Sequence, residues 1–332
     1  MEFIALYGLF LAKILTVALA ICALFVLFLN MRQRTRQRKR QIQILDLGKQ
    51  YREMQREMKL ARMNESELGI WHKRHKKQDK KESKQAKTLA KQGDKSPAKS
   101  CLYVLDFKGS MDASEVNSLR EEITAVLAVA NTGDEVLLRL ESQGGVVHGY
   151  GLAASQLHRL RDKGIPLTVA VDKIAASGGY MMACVADHIV AAPFAIIGSI
   201  GVVAQLPNFN RLLKHNYIDM ELYTAGAYKR TLTLFGENSP EGREKFQQEL
   251  NETHQLFKTF VQRMRPSLYI EAVATGEHWY GEQAQELGLV DAIGTSDDLL
   301  INALNKHDVI SLRHNQHKHW INHFTDIDTL RY

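Results

Sequence analysis

Residues 135–145 read EVLLRLESQGG, and residues 166–180 read PLTVAVDKIAASGGY. Each begins as a short, apolar run of strand length and breaks into paired glycines. Between them, residues 149–163 carry apolar side chains at helical spacing. A strand, a helix and a second strand of these lengths form a parallel βαβ unit, because the crossover returns the second strand beside the first. Towards the N-terminus, CLYVLDF (101–107) reads as another buried strand, and MDASEVNSLREEITAVLAVA (111–130) as a helix with Ser114 or Asp112 as N-cap. The pattern predicts an α/β domain.

Residues 181–206 are apolar enough to raise the question of a membrane crossing. Asp187, His188, Pro193 and several glycines oppose a lipid-facing helix, and HIVAAP (188–193) and IIGSIGVVAQ (196–205) fit short core strands. A true crossing is expected instead at Tyr7–Leu29, YGLFLAKILTVALAICALFVLFL, with Lys13 as its only charge. About 20 apolar residues span a hydrocarbon core of about 30 Å. Near the end of the span Lys13 can snorkel to the headgroups. The bulky exit LFVLFLN does not resemble the small-residue exit of a cleaved signal peptide, so the segment reads as an uncleaved anchor.

Charge divides the chain. The 332 residues carry a net +6, but residues 31–98 carry net +13 and residues 99–332 net −7. The basic excess starts at once after the span, in RQRTRQRKR (32–40). That tract can hold anionic lipid, and by the positive-inside rule it places the C-terminal side of the span in the cytoplasm. Nucleic acid is not expected as a partner, since the folded domain is mildly acidic. Ile42, Leu45, Leu47, Tyr51, Met54, Met58, Leu60 and Met63 form a partial helical stripe, read as a basic helical stalk, followed by a solvated linker ending near Ser96-Pro97. Three scattered cysteines, Cys22, Cys101 and Cys184, give neither a disulfide framework nor a zinc site, and no metal or cofactor is expected. The predicted organisation is an anchor (1–30), a stalk and linker (31–98), a catalytic domain (99–305) and a histidine-rich tail (306–332).

Three clusters carry chemistry. Glycines Gly144 and Gly145 follow a strand, where backbone amides can point at a developing oxyanion, although a plain turn would read the same way. Ser177 stands among small residues at the next strand end, with the Gly178 amide beside it; an N-cap serine is the alternative reading. Gly226-Ala227-Tyr228-Lys229-Arg230 offers a base for such a serine only if Lys229 is desolvated, because an ordinary lysine stays charged at neutral pH. Arg230 cannot act as base. His148, after the Gly-Gly turn, is the best histidine candidate but reads more simply as a surface residue.

Taken in order, the strand ending in SQGG, AASGGY (175–180), FAIIGSIGV (194–202) and AGAYKR (225–230) resemble the signal peptide peptidase A family of serine proteases, peptidase S49, within the ClpP/crotonase superfamily. The anchor, the basic stalk, DFKGSMDASEVNSLREEI (106–123) and GEHWYGEQAQELGLVD (276–291) are most similar to its SohB-type membrane proteases. The resemblance implies a spiral of repeated ββα units and a ring-like homo-oligomer. It also implies a Ser/Lys dyad of Ser177 and Lys229, with Ser199 orienting the lysine. Gly178 and Gly144 or Gly145 would form the oxyanion hole. The family's usual SPGG is SQGG here, so Gln143 replaces a proline and its fixed φ. The implied role is a single-pass endopeptidase of the bacterial inner (plasma) membrane, acting on membrane-derived or unfolded peptides with small or apolar residues. Family members often work in the periplasm, which opposes the cytoplasmic side given by the charge rule. A crotonase-like acyl-CoA enzyme, reusing the oxyanion glycines without a nucleophile, and a catalytically silent membrane scaffold are the competing readings.

Overall fold

The computed structural model describes residues 42–64, 66–69, 71, 99–226 and 228–314, with seven helical positions between Lys13 and Val26. Most of the expected anchor, the basic tract and the linker lie outside these residues. Among the described residues, no helix is long and apolar enough to cross a membrane.

The first element is not the expected helix. Ile42–Asp46 is a strand, β1, and helix α1 (Leu47–Ala61) begins only after it. Asp46 is the reason: it caps α1 by accepting the Lys49 N–H at 2.7 Å, which stops the helix from growing backwards. Leu47 packs against the buried cluster to which Leu102, Val104, Leu300 and Val309 belong. The start of the expected stalk is therefore part of the folded body, and the described residues between 44 and 313 form one unit.

After β2 (Cys101–Gly109) come α2 (Val116–Val129), β3 (Glu135–Ser142), α3 (Val147–Asp162) and β4 (Leu167–Val171). The βαβ expectation holds. β2 pairs with β3 and β3 with β4, all parallel, while α2 and α3 cover the sheet with buried Leu119, Ile123, Leu157 and Leu160. The expected cap of α2 is displaced: Asp112 accepts the Ser114 N–H at 3.2 Å, and helix begins after Glu115, whose carboxylate accepts the Ser110 N–H at 3.0 Å.

The chain then doubles each strand. β5 (Ile174–Ala176) follows β4, α4 (Gly178–Ala183) follows β5, and β6 (His188–Ala191) and β7 (Ile196–Gly198) repeat the step. Most of 181–198 is thus core, in α4, β6 and β7, but the strand expected over 196–205 ends at Gly198, and residues 203–206 are exposed. With β9 (Ala292–Ile293) and β10 (Asp308–His314) from the end of the chain, the rear strands run in the order β1-β10-β2-β3-β4-β6-β9, while β5 and β7 form a second tier that leaves β3 at its far end. Ser142 at the end of β3 stands opposite Ala175, and Ala176 opposite Gly198. Three parallel strands, β3, β5 and β7, therefore end side by side, and Ser177, Ser199 and the glycines Gly144, Gly145 and Gly178 follow those ends.

Beyond α5 (Asn210–His215) comes the long helix α6 (Pro240–Met264), whose Phe257, Val261 and Met264 are buried. After α7 (Ile270–Val273), β8 (His278–Tyr280) pairs antiparallel with β7, followed by α8 (Gly281–Glu286), β9 (Ala292–Ile293) and α9 (Ser296–Ala303). The last element corrects the expected tail. Asp308–His314 is β10, parallel to β2 with Asp308 opposite Cys101 and Ser311 opposite Val104. Its polar composition hid a strand of which only Val309, Ser311 and Leu312 are buried. The histidines beyond 314 lie outside the described residues.

Candidate active site

A cavity of about 750 Å³ opens where the three strand ends meet. Its lining includes Gly144 and Gly145 after β3, Ser177 and Gly178 after β5, and Ser199 after β7. Five of the six residues singled out in the sequence are thus brought together.

Ser177 sits at φ 52°, ψ −118°, a region that costs a side-chain-bearing residue energy and is kept only where its surroundings enforce it. The enforcement is visible: the Ser177 N–H donates to the Gly198 carbonyl at 2.8 Å, and its carbonyl accepts the Met181 N–H at 3.0 Å. The turn between strand and helix lifts the side chain into the cavity. This is the geometry of a nucleophile elbow, with the hydroxyl free of any described partner and not spent on capping the helix.

Gly144 lies against this elbow. A Cβ on it would stand 2.7 Å from the Gly178 nitrogen and 2.8 Å from the Ser177 Cβ, and its φ is +89°. Only glycine allows the loop to come this close. The Gly144 N–H is already committed, donating to the Ser142 hydroxyl at 3.1 Å. The Gly145 and Gly178 amides donate to no described group, so they are the pair available to an anionic oxygen.

The support beneath this loop was not apparent from the sequence. Buried Ser142 shares a hydrogen bond of 2.7 Å with the Tyr150 hydroxyl, which donates to the Ser110 carbonyl at 2.8 Å. The Tyr150 ring also forms the floor under Gly178, where a Cβ would approach its Cγ to 2.4 Å. One buried tyrosine on α3 therefore holds both the glycine loop and the elbow. Burial pushes its hydroxyl's pKa up, more than the Ser142 bond offsets, so Tyr150 stays a neutral donor.

Ser199 is the second side-chain-bearing residue at positive φ in the cavity, at 51°, with its N–H on the Glu277 carbonyl at 2.7 Å. Met111, Val146, Met181 and Phe257 supply apolar wall, and Thr253 and His254 of α6 complete one side. His254 was not singled out in the sequence. It enters the cavity because α6 returns more than 50 residues after the Ser199 turn. His148 is exposed and lines no part of the cavity.

Lys229 is absent from the lining. It is exposed on a turn closed by its own N–H to the Gly226 carbonyl at 3.2 Å. The described residues do not supply the desolvation that a lysine base needs.

A strained serine beside two unengaged amides, in a cavity with apolar walls, has what acyl transfer requires of a protein: a nucleophile and fixed donors for an oxyanion. The comparisons define the family. Residues 2–157 match Peptidase family S49 N-terminal and residues 159–310 match Peptidase family S49, and the chain belongs to that family of proteases. It is 55% identical over 304 residues to the probable protease SohB of Buchnera aphidicola subsp. Schlechtendalia chinensis, covering 91% of this chain and 100% of that one. To the probable protease SohB of Haemophilus influenzae it is 52% identical over 320 residues, covering 96% and 91%. A solved mutant of the 1510-N membrane-bound stomatin-specific protease, in complex with a substrate peptide, is 15% identical with TM-score 0.45, covering 69% of this chain and 100% of that one.

Proposed function

We propose that the chain is a membrane-anchored serine endopeptidase in which Ser177 is the nucleophile and Lys229 the general base. The observation that carries this reading is the Ser177 elbow, held at positive φ beside the unengaged Gly178 and Gly145 amides. The Ser177 Oγ attacks the scissile carbonyl as Lys229, neutral at rest, takes its proton. The carbonyl oxygen becomes an oxyanion between the two amides. Collapse of the tetrahedral intermediate breaks the C–N bond, and Lys229 returns the proton to the leaving amine. Water, deprotonated by the same lysine, then releases the acyl group from Ser177. Ser199 orients the lysine, as the family resemblance implies.

Lys229 reaches the cavity on assembly in this reading. The connection between β7 and α6 leaves Val203 91%, Tyr217 98% and Tyr223 86% exposed, and Lys229 belongs to the same connection. An apolar run of this kind calls for a covering surface. A second copy of the chain supplies one, and the same contact would strip water from the lysine, the desolvation that a lysine base needs. The homo-oligomer, the spiral ββα fold and the Tyr7–Leu29 anchor belong to one picture: a protease held at the bilayer, taking membrane-derived or unfolded peptides.

The test is cleavage of a quenched fluorescent peptide, with alanine and leucine at the scissile bond, by the full chain in detergent. Ser177→Ala and Lys229→Ala should each abolish cleavage while keeping the thermal transition. Activity persisting in either variant rules out the dyad, and tight acyl-CoA binding in place of cleavage favours the crotonase-like reading. Resistance to alkaline extraction from membranes tests the anchor, and a reporter fused after residue 100 tests its predicted cytoplasmic orientation.

A further inference from the structure

We propose that His254 is a positioning residue that clamps the Ser199 turn through a single Nε2–H hydrogen bond; the inference deepens the reading in which Ser199 orients the base.

The Ser199 turn is tied down residue by residue. The Gly198 carbonyl accepts the Ser177 N–H at 2.8 Å, and the Ser199 N–H donates to the Glu277 carbonyl at 2.7 Å. The Ile200 carbonyl takes the imidazole Nε2 of His254 at 3.1 Å. A carbonyl only accepts, so Nε2 carries the hydrogen, and in the neutral ring Nδ1 is left unprotonated. The three anchors come from three different elements: the elbow, the loop before β8, and α6.

The His254 bond is the anchor on the downstream side. Past Gly201, whose N–H closes the turn on the Ser199 carbonyl at 2.9 Å, residues 202–209 form no helix or strand, and Val203 stands almost fully exposed. Ser199 itself is held at φ 51°, a conformation that relaxes unless its flanks are fixed. Upstream, β7 fixes it. Downstream, the side-chain bond from His254 does, and α6 is rigid there because Phe257 and Val261, on the following turns, are buried in the core. His254 thus ties the orientation of the Ser199 hydroxyl to the body of the protein.

The role predicts which atom matters. In glutamine, Nε2 lies as many bonds from Cα as the imidazole Nε2 does, whereas asparagine reaches only as far as Nδ1. In the full chain in detergent, His254→Asn and His254→Ala should lower kcat on the quenched peptide by about tenfold, with KM within about twofold, while His254→Gln stays within about threefold of wild type. Independently of activity, hydrogen–deuterium exchange over residues 195–205 should rise in His254→Asn and stay at the wild-type level in His254→Gln. Unchanged exchange in His254→Asn overturns the clamp. Equal kcat loss in the Gln and Ala variants means that the imidazole itself is needed, which also overturns it. An effect on KM alone assigns His254 to the substrate wall and overturns the clamp as well. If Ser177→Ala stays active the protease reading fails, yet the exchange experiment still decides the clamp.

Discussion

The Ser142 and Tyr150 hydroxyls lie 2.7 Å apart in the interior, and their protons can run in only one direction. Tyr150 donates to the Ser110 carbonyl, so Ser142 donates to Tyr150 and is left to accept from the Gly144 N–H. The relay consumes the first glycine amide of the loop and leaves the second, on Gly145, unengaged. At the level of hydrogen bonding it therefore favours Gly145 over Gly144, a choice that the sequence left open.

Tyr150→Phe keeps the ring under Gly178 but removes the middle of the relay. The Ser110 carbonyl and the Ser142 hydroxyl lose their shared partner, so stability should fall by about 1–3 kcal/mol. Because the glycine loop loses its tether, kcat should fall more than KM rises. Thermal unfolding and steady-state peptide cleavage check the two parts; wild-type kcat in a destabilised variant would reduce Tyr150 to a core residue.

Gly144→Ala tests the loop directly. The new methyl would meet the Gly178 nitrogen at 2.7 Å, on a backbone whose φ of +89° already excludes alanine. We expect loss of cleavage by at least about a hundredfold, the scale of a removed oxyanion donor. Circular dichroism should remain that of a folded α/β chain, since the clash is confined to the elbow and the last carbonyl of β5, on Ala176. Near-normal cleavage would mean that the loop does not serve the oxyanion.

The parts of this site differ in how far the sequence betrays them. Ser177 is legible because its signal is local: a strand, small residues and glycines in one stretch. The meeting of Gly144, Ser177 and Ser199 is legible only through order along the chain, since the register that aligns Ser142, Ala175 and Ile197 is a property of the sheet. Tyr150 and His254 are invisible because both lie on helices, and what they touch is fixed by packing across distant segments. β1 hides because Ile42, Leu45 and Leu47 satisfy a helical stripe as well as a strand followed by a cap. β10 hides because it carries Arg313 and His314, although Arg313 is bound to Asp106 at 2.7 Å on the neighbouring strand.

Assembly can be tested by complementation. Ser177→Ala and Lys229→Ala chains are each expected to be inactive. If the lysine enters from a second copy, mixing and reassembling them should return activity, bounded by the share of sites that pair an intact serine with an intact lysine. No recovery in mixtures shown to co-assemble would place the lysine in its own chain, and a monomer active at all concentrations would remove the oligomer from the mechanism.

The thiols of the folded body should be inert. Burial pushes Cys101 up to about 11 and Cys184 up to about 12, so almost no thiolate exists at pH 8. In a Cys22→Ser chain, iodoacetamide at pH 8 should label neither residue in the native state and both after denaturation, as counted by intact mass. Native labelling of Cys184 would mean that the core around Tyr180 opens.

Acid should weaken the fold through two carboxylates that arginines hold. Burial pushes the Asp291 carboxyl up, but the Arg265 fork, at 2.7 and 2.8 Å, and the Ile189 N–H outweigh it and hold it below its ordinary 3.8. For Asp106, burial likewise raises, while the Arg139 and Arg313 guanidiniums lower it further and prevail. A folded-state pKa below the unfolded one means that the unfolded chain binds the proton more readily. The stabilisation is therefore complete above about pH 4 and is lost as pH falls through the depressed folded values. The Tm of the full chain in detergent should be flat on this account from pH 7 to 5 and drop below about pH 4. Arg265→Ala removes the fork and leaves Asp291 to its burial, which costs about 1–3 kcal/mol at neutral pH. The same change should make the acid slope shallower, because Asp291 then gains no advantage from staying charged in the folded state. A slope unchanged in Arg265→Ala would assign the acid sensitivity to other carboxylates and leave the Arg265–Asp291 pair a purely geometric tie between α6 and the β9 edge.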